Sequence, residues 1–202
     1  MGGGLETSMS FVMSFSLAMM LDPSIQAKGR KEIDTVIGSD QLPEISDRAS
    51  LPYVRSIMTE VLRWIPPPPL GVSHALSQDD VYEGMYLPKG STVIPNVWYI
   101  LYFLDNANRH DESRHMLHDP EIYPNPMDFN PERYQGLDTE MEAVKDIVFG
   151  FGRRACPGRE FSEGTVFAIV ATVLATCEIL PTMDASGNAV LPEPTHLSRP
   201  VT

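Results

Sequence analysis

Apolar residues in the first part of the chain recur at helical spacing. Phe11, Phe15 and Met19 stand four apart, which predicts a helix over 1–21 with one face in a core. Asp22-Pro23 ends it, and 24–37 reads as a second helix with charges of alternating sign on its outer face. A turn-rich stretch over 38–47 follows. Leu51-Pro52 then opens a third helix over 53–64, in which Glu60 and Arg63 share one face. Pro66 to Pro69 cannot continue a helix. Segments 81–87 and 92–98, bounded by Asp79-Asp80 and Pro88-Lys89-Gly90, read as short strands joined by tight turns. Over 119–134 the prolines Pro120, Pro124, Pro126 and Pro131 preclude a regular ladder, so side chains must hold this meander in place. The last helix, 162–177, turns Val166, Phe167, Val170 and Leu174 inward, and 184–188 signals a hairpin turn. The predicted fold class is mainly α with small β segments.

Charge narrows the function classes. A net charge of −12 argues against general binding to nucleic acid or to anionic membranes. Pro 18 and Gly 14 in 202 residues fall well short of a disordered composition. Two cysteines far apart, without a signal-peptide pattern, do not make a disulfide framework, and Cys177 reads as a small buried residue. No run reaches the roughly 18 apolar residues that span a bilayer, and 9–21 reads as part of a buried helix. His110, His115 and His118, with Asp111 and Glu112, fit no zinc spacing well. The acidic residues Glu140, Glu142 and Asp146 mark a surface stretch.

The chemistry gathers in FGFGRRACPG, Phe149 to Gly158. Cys156 follows a glycine-rich, twice-basic loop and precedes an apolar run over 165–174. A thiolate there sits at the mouth of a helix, where free N–H groups and the helix dipole favour negative charge. Gly150, Gly152 and Gly158 let backbone approach a large flat ligand, and Arg154 is placed to meet an anionic group on it. On the residues alone, a buried and inert cysteine is the ordinary alternative.

Phe149, Gly152, Arg154, Cys156 and Gly158 fall on the pattern F-x-x-G-x-R-x-C-x-G. The stretch therefore resembles the haem-binding signature of the cytochrome P-450 family, whose iron is held by a cysteine thiolate. Other segments extend the resemblance in family order. Gly3-Gly4-Leu5-Glu6-Thr7 resembles the family's A/G-G-x-D/E-T motif, in which an acid and an alcohol lie over the haem. Glu60 and Arg63 resemble its buried E-x-x-R pair, and Pro131-Glu132-Arg133-Tyr134 resembles the loop whose arginine, here Arg133, completes that network. His74 stands where the family often places a basic residue near a haem propionate.

The resemblance implies that 1–202 is roughly the C-terminal two-fifths of the family domain, interrupted by a non-family insertion at 99–113 of the kind a retained intron leaves. It is similar to fungal members of secondary metabolism such as those acting on O-methylsterigmatocystin. It implies haem b (iron protoporphyrin IX) as cofactor, with Cys156 as axial metal ligand. Phe149, Gly152, Arg154, Gly158 and His74 would bind the cofactor, while Glu6 and Thr7 would act catalytically on protons. The implied reaction is a monooxygenation: one atom of O2 enters a small apolar organic substrate, with electrons from NADPH through NADPH-cytochrome P-450 reductase. Leu70 to Val72 and the 195–197 segment would contact substrate. Arg153, Arg154 and Arg159 are read either as a reductase-docking patch or as one propionate partner with two solvated arginines. Full-length relatives are expected in the endoplasmic reticulum membrane through an N-terminal anchor; this chain, with no such segment, is expected to be cytoplasmic or unstable. An isolated piece lacking the first half of the fold is expected to be inactive. The competing reading is a haem-free truncated product that acts at most as a protein-interaction fragment.

Overall fold

The computed structural model describes residues 3–97, 116–134 and 137–191. The expected insertion at 99–113, with Trp98, His110, His115 and the 195–197 segment, lies outside them. Five helices carry the described fold: α1 (Gly3–Leu21), α2 (Pro23–Val36), α3 (Pro52–Trp64), α4 (Asp138–Phe149) and α5 (Arg159–Thr176). Three separate two-stranded antiparallel pairings complete it: β1 (His74–Ala75) with β4 (Thr92–Val93), β2 (Asp80–Tyr82) with β3 (Met85–Leu87), and β5 (Thr182–Met183) with β6 (Ala189–Val190). The class expected from the sequence is the class observed.

Helix α3 is the axis of the core. Its Val54, Ile57 and Val61 are fully enclosed, against Phe15 and Met19 of α1, Ile33 of α2 and Phe167, Val170 and Leu174 of α5. Polar groups tie the helix ends together. Asp22 caps α2 by accepting from Ser24 N at 2.9 Å, and Pro23 fills a first-turn position that needs no N–H. No side chain within its own sequence caps α3; the Glu32 carboxylate of α2 does so instead, accepting the N–H groups of Tyr53 and Val54, both at 2.9 Å. Arg30 donates to the Leu174 carbonyl at 2.8 Å and also to that of Cys177, satisfying the last turn of α5.

Four local expectations need correction. The 81–87 segment is a hairpin, split by Glu83 and Gly84 with φ of 48° and 78°, because two positive torsions reverse the chain there. Among the described residues of 92–98, that is 92–97, only Thr92 and Val93 pair. Cys177 is exposed at the extended C-terminal cap of α5, since the helix ends at Thr176 before turning it inward. Gly4–Leu21 is long and apolar enough to cross a membrane by length and composition, although 33% of it is buried. Its Phe11, Phe15 and Met19 face lies in the core.

The proline-rich meander is suspended from the end of α3. The Glu60 carboxylate, fully buried, accepts from Arg63 Nε and Nη2 at 2.8 Å each, from Asn130 N at 2.9 Å, from Arg133 Nε at 3.1 Å and from the Tyr134 hydroxyl at 3.0 Å. Arg63, equally buried, spends its remaining N–H groups on the carbonyls of Leu117 (3.0 Å), Pro126 (2.8 Å) and Asp128 (3.3 Å). Its Cζ lies 5.4 Å from the Tyr123 ring centroid. Trp64 Nε1 donates to Met127 O at 2.9 Å. A chain segment whose own hydrogen bonds are only local turns is thus also bonded, through several of its carbonyls, to one helix end.

Two predictions follow from this packing and are read by urea unfolding. Glu60→Gln leaves two buried guanidiniums without their counter-charge and is expected to destabilise by about 3–5 kcal/mol. Glu132→Gln, which removes the half-exposed Lys28–Glu132 pair, should remain within about 1 kcal/mol of wild type. Equal shifts in the two variants would refute the assignment of the network as the anchor. The second prediction contrasts two helix glycines. A Cβ on Gly29 would stand 3.0 Å from Leu174 Cδ1 and 3.2 Å from Ile57 Cδ1, whereas one on Gly164 meets nothing nearer than Ile45 Cδ1 at 3.9 Å. Gly29→Val is expected to lose about 1–3 kcal/mol, and Gly164→Ala to gain about 0.5–1 kcal/mol. The same sign for both would show that packing does not govern these positions.

Candidate active site at the cysteine loop

Helix α4 delivers the chain to the loop and α5 takes it away. Gly150 stops α4 with φ 84°, and Gly152 follows at 57°, torsions that a side chain would strain. Gly152 to Arg154 make one tight turn, closed by Ala155 N donating to Gly152 O at 3.3 Å. Cys156 N donates to Phe149 O at 2.7 Å, so the loop closes on its own base and fixes the cysteine where it closes. Both Cys156 and the loop from Phe151 onward are exposed. Gly158 begins α5 without a side-chain cap, which leaves first-turn N–H groups for a nearby negative charge. A Cβ at Gly158 would lie 3.8 Å from Cys156 Sγ, so this glycine keeps one flank of the sulfur open.

The donor set suits an iron that brings its own ring. A bare ion needs three or more protein donors, and among the described residues no group of three His, Cys, Asp or Glu is so placed. One accessible thiolate suffices when the other ligands come from a porphyrin.

The remaining candidates are distributed around this loop's scaffold. Phe149 is half-buried as the last residue of α4. Arg154 is exposed beside the cysteine. His74 is exposed on β1, in register with Val93. Glu6 is exposed in the first turns of α1, and the Thr7 hydroxyl donates to Gly4 O at 3.4 Å. Glu60, Arg63 and Arg133 meet in the buried network described above.

The sequence reading missed α4 as a helix, and with it a charged cluster at the loop's base. Arg159 donates from Nε to Glu163 Oε1 at 3.0 Å, from Nη1 to Asp146 Oδ1 at 2.7 Å, and from Nη2 to Glu142. Its charge is therefore internally matched, and the expected patch of Arg153, Arg154 and Arg159 is reduced to the first two. Burial alone would raise the Glu142 carboxyl, but hydrogen bonds and charge from Lys145 and Arg159 outweigh it and hold it below the usual range. The spacing Glu142–Asp146 and Arg159–Glu163, four apart in each case, is the signal that reveals the cluster once both segments are read as helices.

Comparison with known proteins covers nearly the whole chain. The family model described as Cytochrome P450 matches residues 1–111 and 112–200. Cytochrome P450 monooxygenase 105 of Postia placenta is 56% identical over 193 residues, covering 96% of this chain and 34% of that protein. Cytochrome P450 monooxygenase claR of Ampulloclitocybe clavipes is 40% identical over 193 residues, covering 95% and 33%. A zebra fish cytochrome P450 solved with progesterone superposes with a TM-score of 0.71 at 29% identity, over 86% of this chain and 36% of that one. The chain thus spans about a third of the length of the curated relatives it matches. These matches reach the family and not the O-methylsterigmatocystin-oxidising members in particular. Fold, loop and matches agree: the chain belongs to the cytochrome P450 family.

Proposed function

We propose that this chain forms the thiolate side of a haem monooxygenase site, in which one atom of O2 is inserted into a small apolar organic substrate. The observation that carries the reading is the accessible Cys156 thiol, held at the closure of a glycine loop by its own N–H to Phe149 O, in front of an uncapped helix. Cys156 would ligate haem b as a thiolate, and first-turn N–H groups of α5 would stabilise its negative charge. Gly150 and Gly152 would let the loop's backbone lie close beneath the ring, and Gly158 would keep the sulfur's flank open. Arg154 and His74, both exposed cations or donors, would hold the carboxylates at the ring's edge. Glu6 and Thr7 would hold water and pass protons above it. When bound, the haem supplies oxygen activation driven by electrons from NADPH through a reductase, which Arg153 would help to dock.

The competing reading, a haem-free fragment that binds other proteins, draws on the apolar side chains left in solvent. Leu5, Met9 and Met13 form an exposed stripe on α1, and Phe161 is 82% exposed one turn after the cysteine loop.

One spectrum separates the two. The purified chain, supplied with haem, reduced and exposed to carbon monoxide, is expected to absorb at about 450 nm, and Cys156→Ala to lose that band. Absence of the band in the unaltered chain, or its persistence in the variant, overturns the proposal.

A further inference from the structure

Arg159 stands three residues beyond Cys156, in the first turn of α5, where the helix dipole disfavours a cation. Carboxylates from two helices hold it there. Glu142 and Asp146 come from α4, Glu163 from α5, and each takes a different guanidinium nitrogen. The same guanidinium lies over the Phe149 ring, 5.8 Å from its centroid. Phe149 is the residue whose carbonyl receives the Cys156 N–H. The base of the cysteine loop is therefore closed twice, once by that main-chain bond and once by the Arg159 fork joining the end of α4 to the start of α5.

Glu163 anchors this closure to the rest of the fold. It is buried, and its second oxygen accepts from Arg48 at 2.5 Å and lies 3.6 Å from Lys145. Single surface pairs contribute little, but here one planar fork is fixed in three directions around a buried acid. Such a fork sets the separation and angle of two helices in a way that a point charge does not.

We propose that Arg159 is a positioning residue for Cys156: it fixes α4 against α5 so that the loop presents the thiolate in a single orientation. Its consequence for the cofactor rests on the haem-thiolate reading above; its effect on the loop does not.

The test has two arms, both on the full chain with Cys177→Ser, which removes the other exposed thiol. Without haem, Arg159→Gln is expected to speed amide hydrogen exchange at Cys156 by about tenfold or more while exchange within α3 stays unchanged. Arg159→Lys, which keeps the charge and loses the fork, should behave like the glutamine variant. Asp146→Asn, which removes one arm of the fork, should give a smaller change in the same direction and serves if Arg159→Gln does not fold. With haem, the ratio of the band at about 450 nm to that at about 420 nm should fall several-fold in Arg159→Gln. Exchange at Cys156 within about twofold of the parent, or equal loosening of α3, overturns the proposal. A parent chain with no band at about 450 nm removes the haem reading, and the exchange arm then still decides the role of Arg159.

Discussion

A single buried carboxylate organises this chain. Desolvating Glu60 is tolerable only because five donor groups converge on it, three of them from the guanidiniums of Arg63 and Arg133. Tyr134 is one of these donors, and burial together with the Glu60 charge pushes its hydroxyl far above the ordinary phenol range, so it remains protonated and donating. Arg63 cannot be exchanged for lysine in this geometry, since its planar fork serves Glu60 on one side and the carbonyls of Leu117, Pro126 and Asp128 on the other. The consequence runs through the fold. The meander has no secondary structure of its own to define it between Asp119 and Asn130, yet it must lead the chain to α4 and the cysteine loop at a fixed place. The buried network supplies that constraint.

A second, partly exposed set of charges carries the constraint onward. Arg55 of α3 reaches Asp138 at the start of α4 at 2.5 Å, and Arg48 reaches Glu163 of α5. Both helices flanking the cysteine loop are thus tied to the N-terminal part of α3 and the turn before it, at the opposite end from the meander. The two charge clusters differ in kind. The first is dry and shape-determining, the second wet at its rim and tolerant of salt only through its buried member, Glu163. Loop orientation is accordingly the softer of the two properties.

Much of this was legible in the sequence, for physical reasons that also explain the gaps. Phe11, Phe15 and Met19 read as a buried face because four-residue spacing is the helix's own period, and all three lie in the core. The Glu60–Arg63–Arg133 network was legible through its motif and the order of segments, whereas i, i+3 spacing alone says nothing of burial, which is conferred by a meander far along the chain. Helix α4 was read as an acidic stretch since its inward residues, Met141 and Val144, are few among charged neighbours and its stability comes from α3. The split of 81–87 was hidden because Glu83, not a glycine, takes one of the two positive torsions. Cys177 was placed inside by its apolar neighbours, yet the helix that would have buried it stops one residue earlier.

The distribution of exposed apolar surface completes the physical picture. The described residues satisfy their buried charges internally, and behind Cys156 helix α4 packs on α3 while α5 packs on α1, α2 and α3. Exposed apolar side chains are spread over the described residues, and those around the thiol and along α1 include Phe151 at 53% exposure, Phe161 at 82%, and the Leu5, Met9, Met13 stripe. Apolar side chains of this size gain about 1.5–3 kcal/mol each when covered, so their exposure leaves stability unclaimed. A flat apolar cofactor on the cysteine loop would claim part of it, and would stabilise the fold by mass action as it binds. In this chain, then, polar interactions fix where the Cys156 thiol stands. Apolar burial, which usually dominates folding, is left in part to whatever occupies the space in front of it.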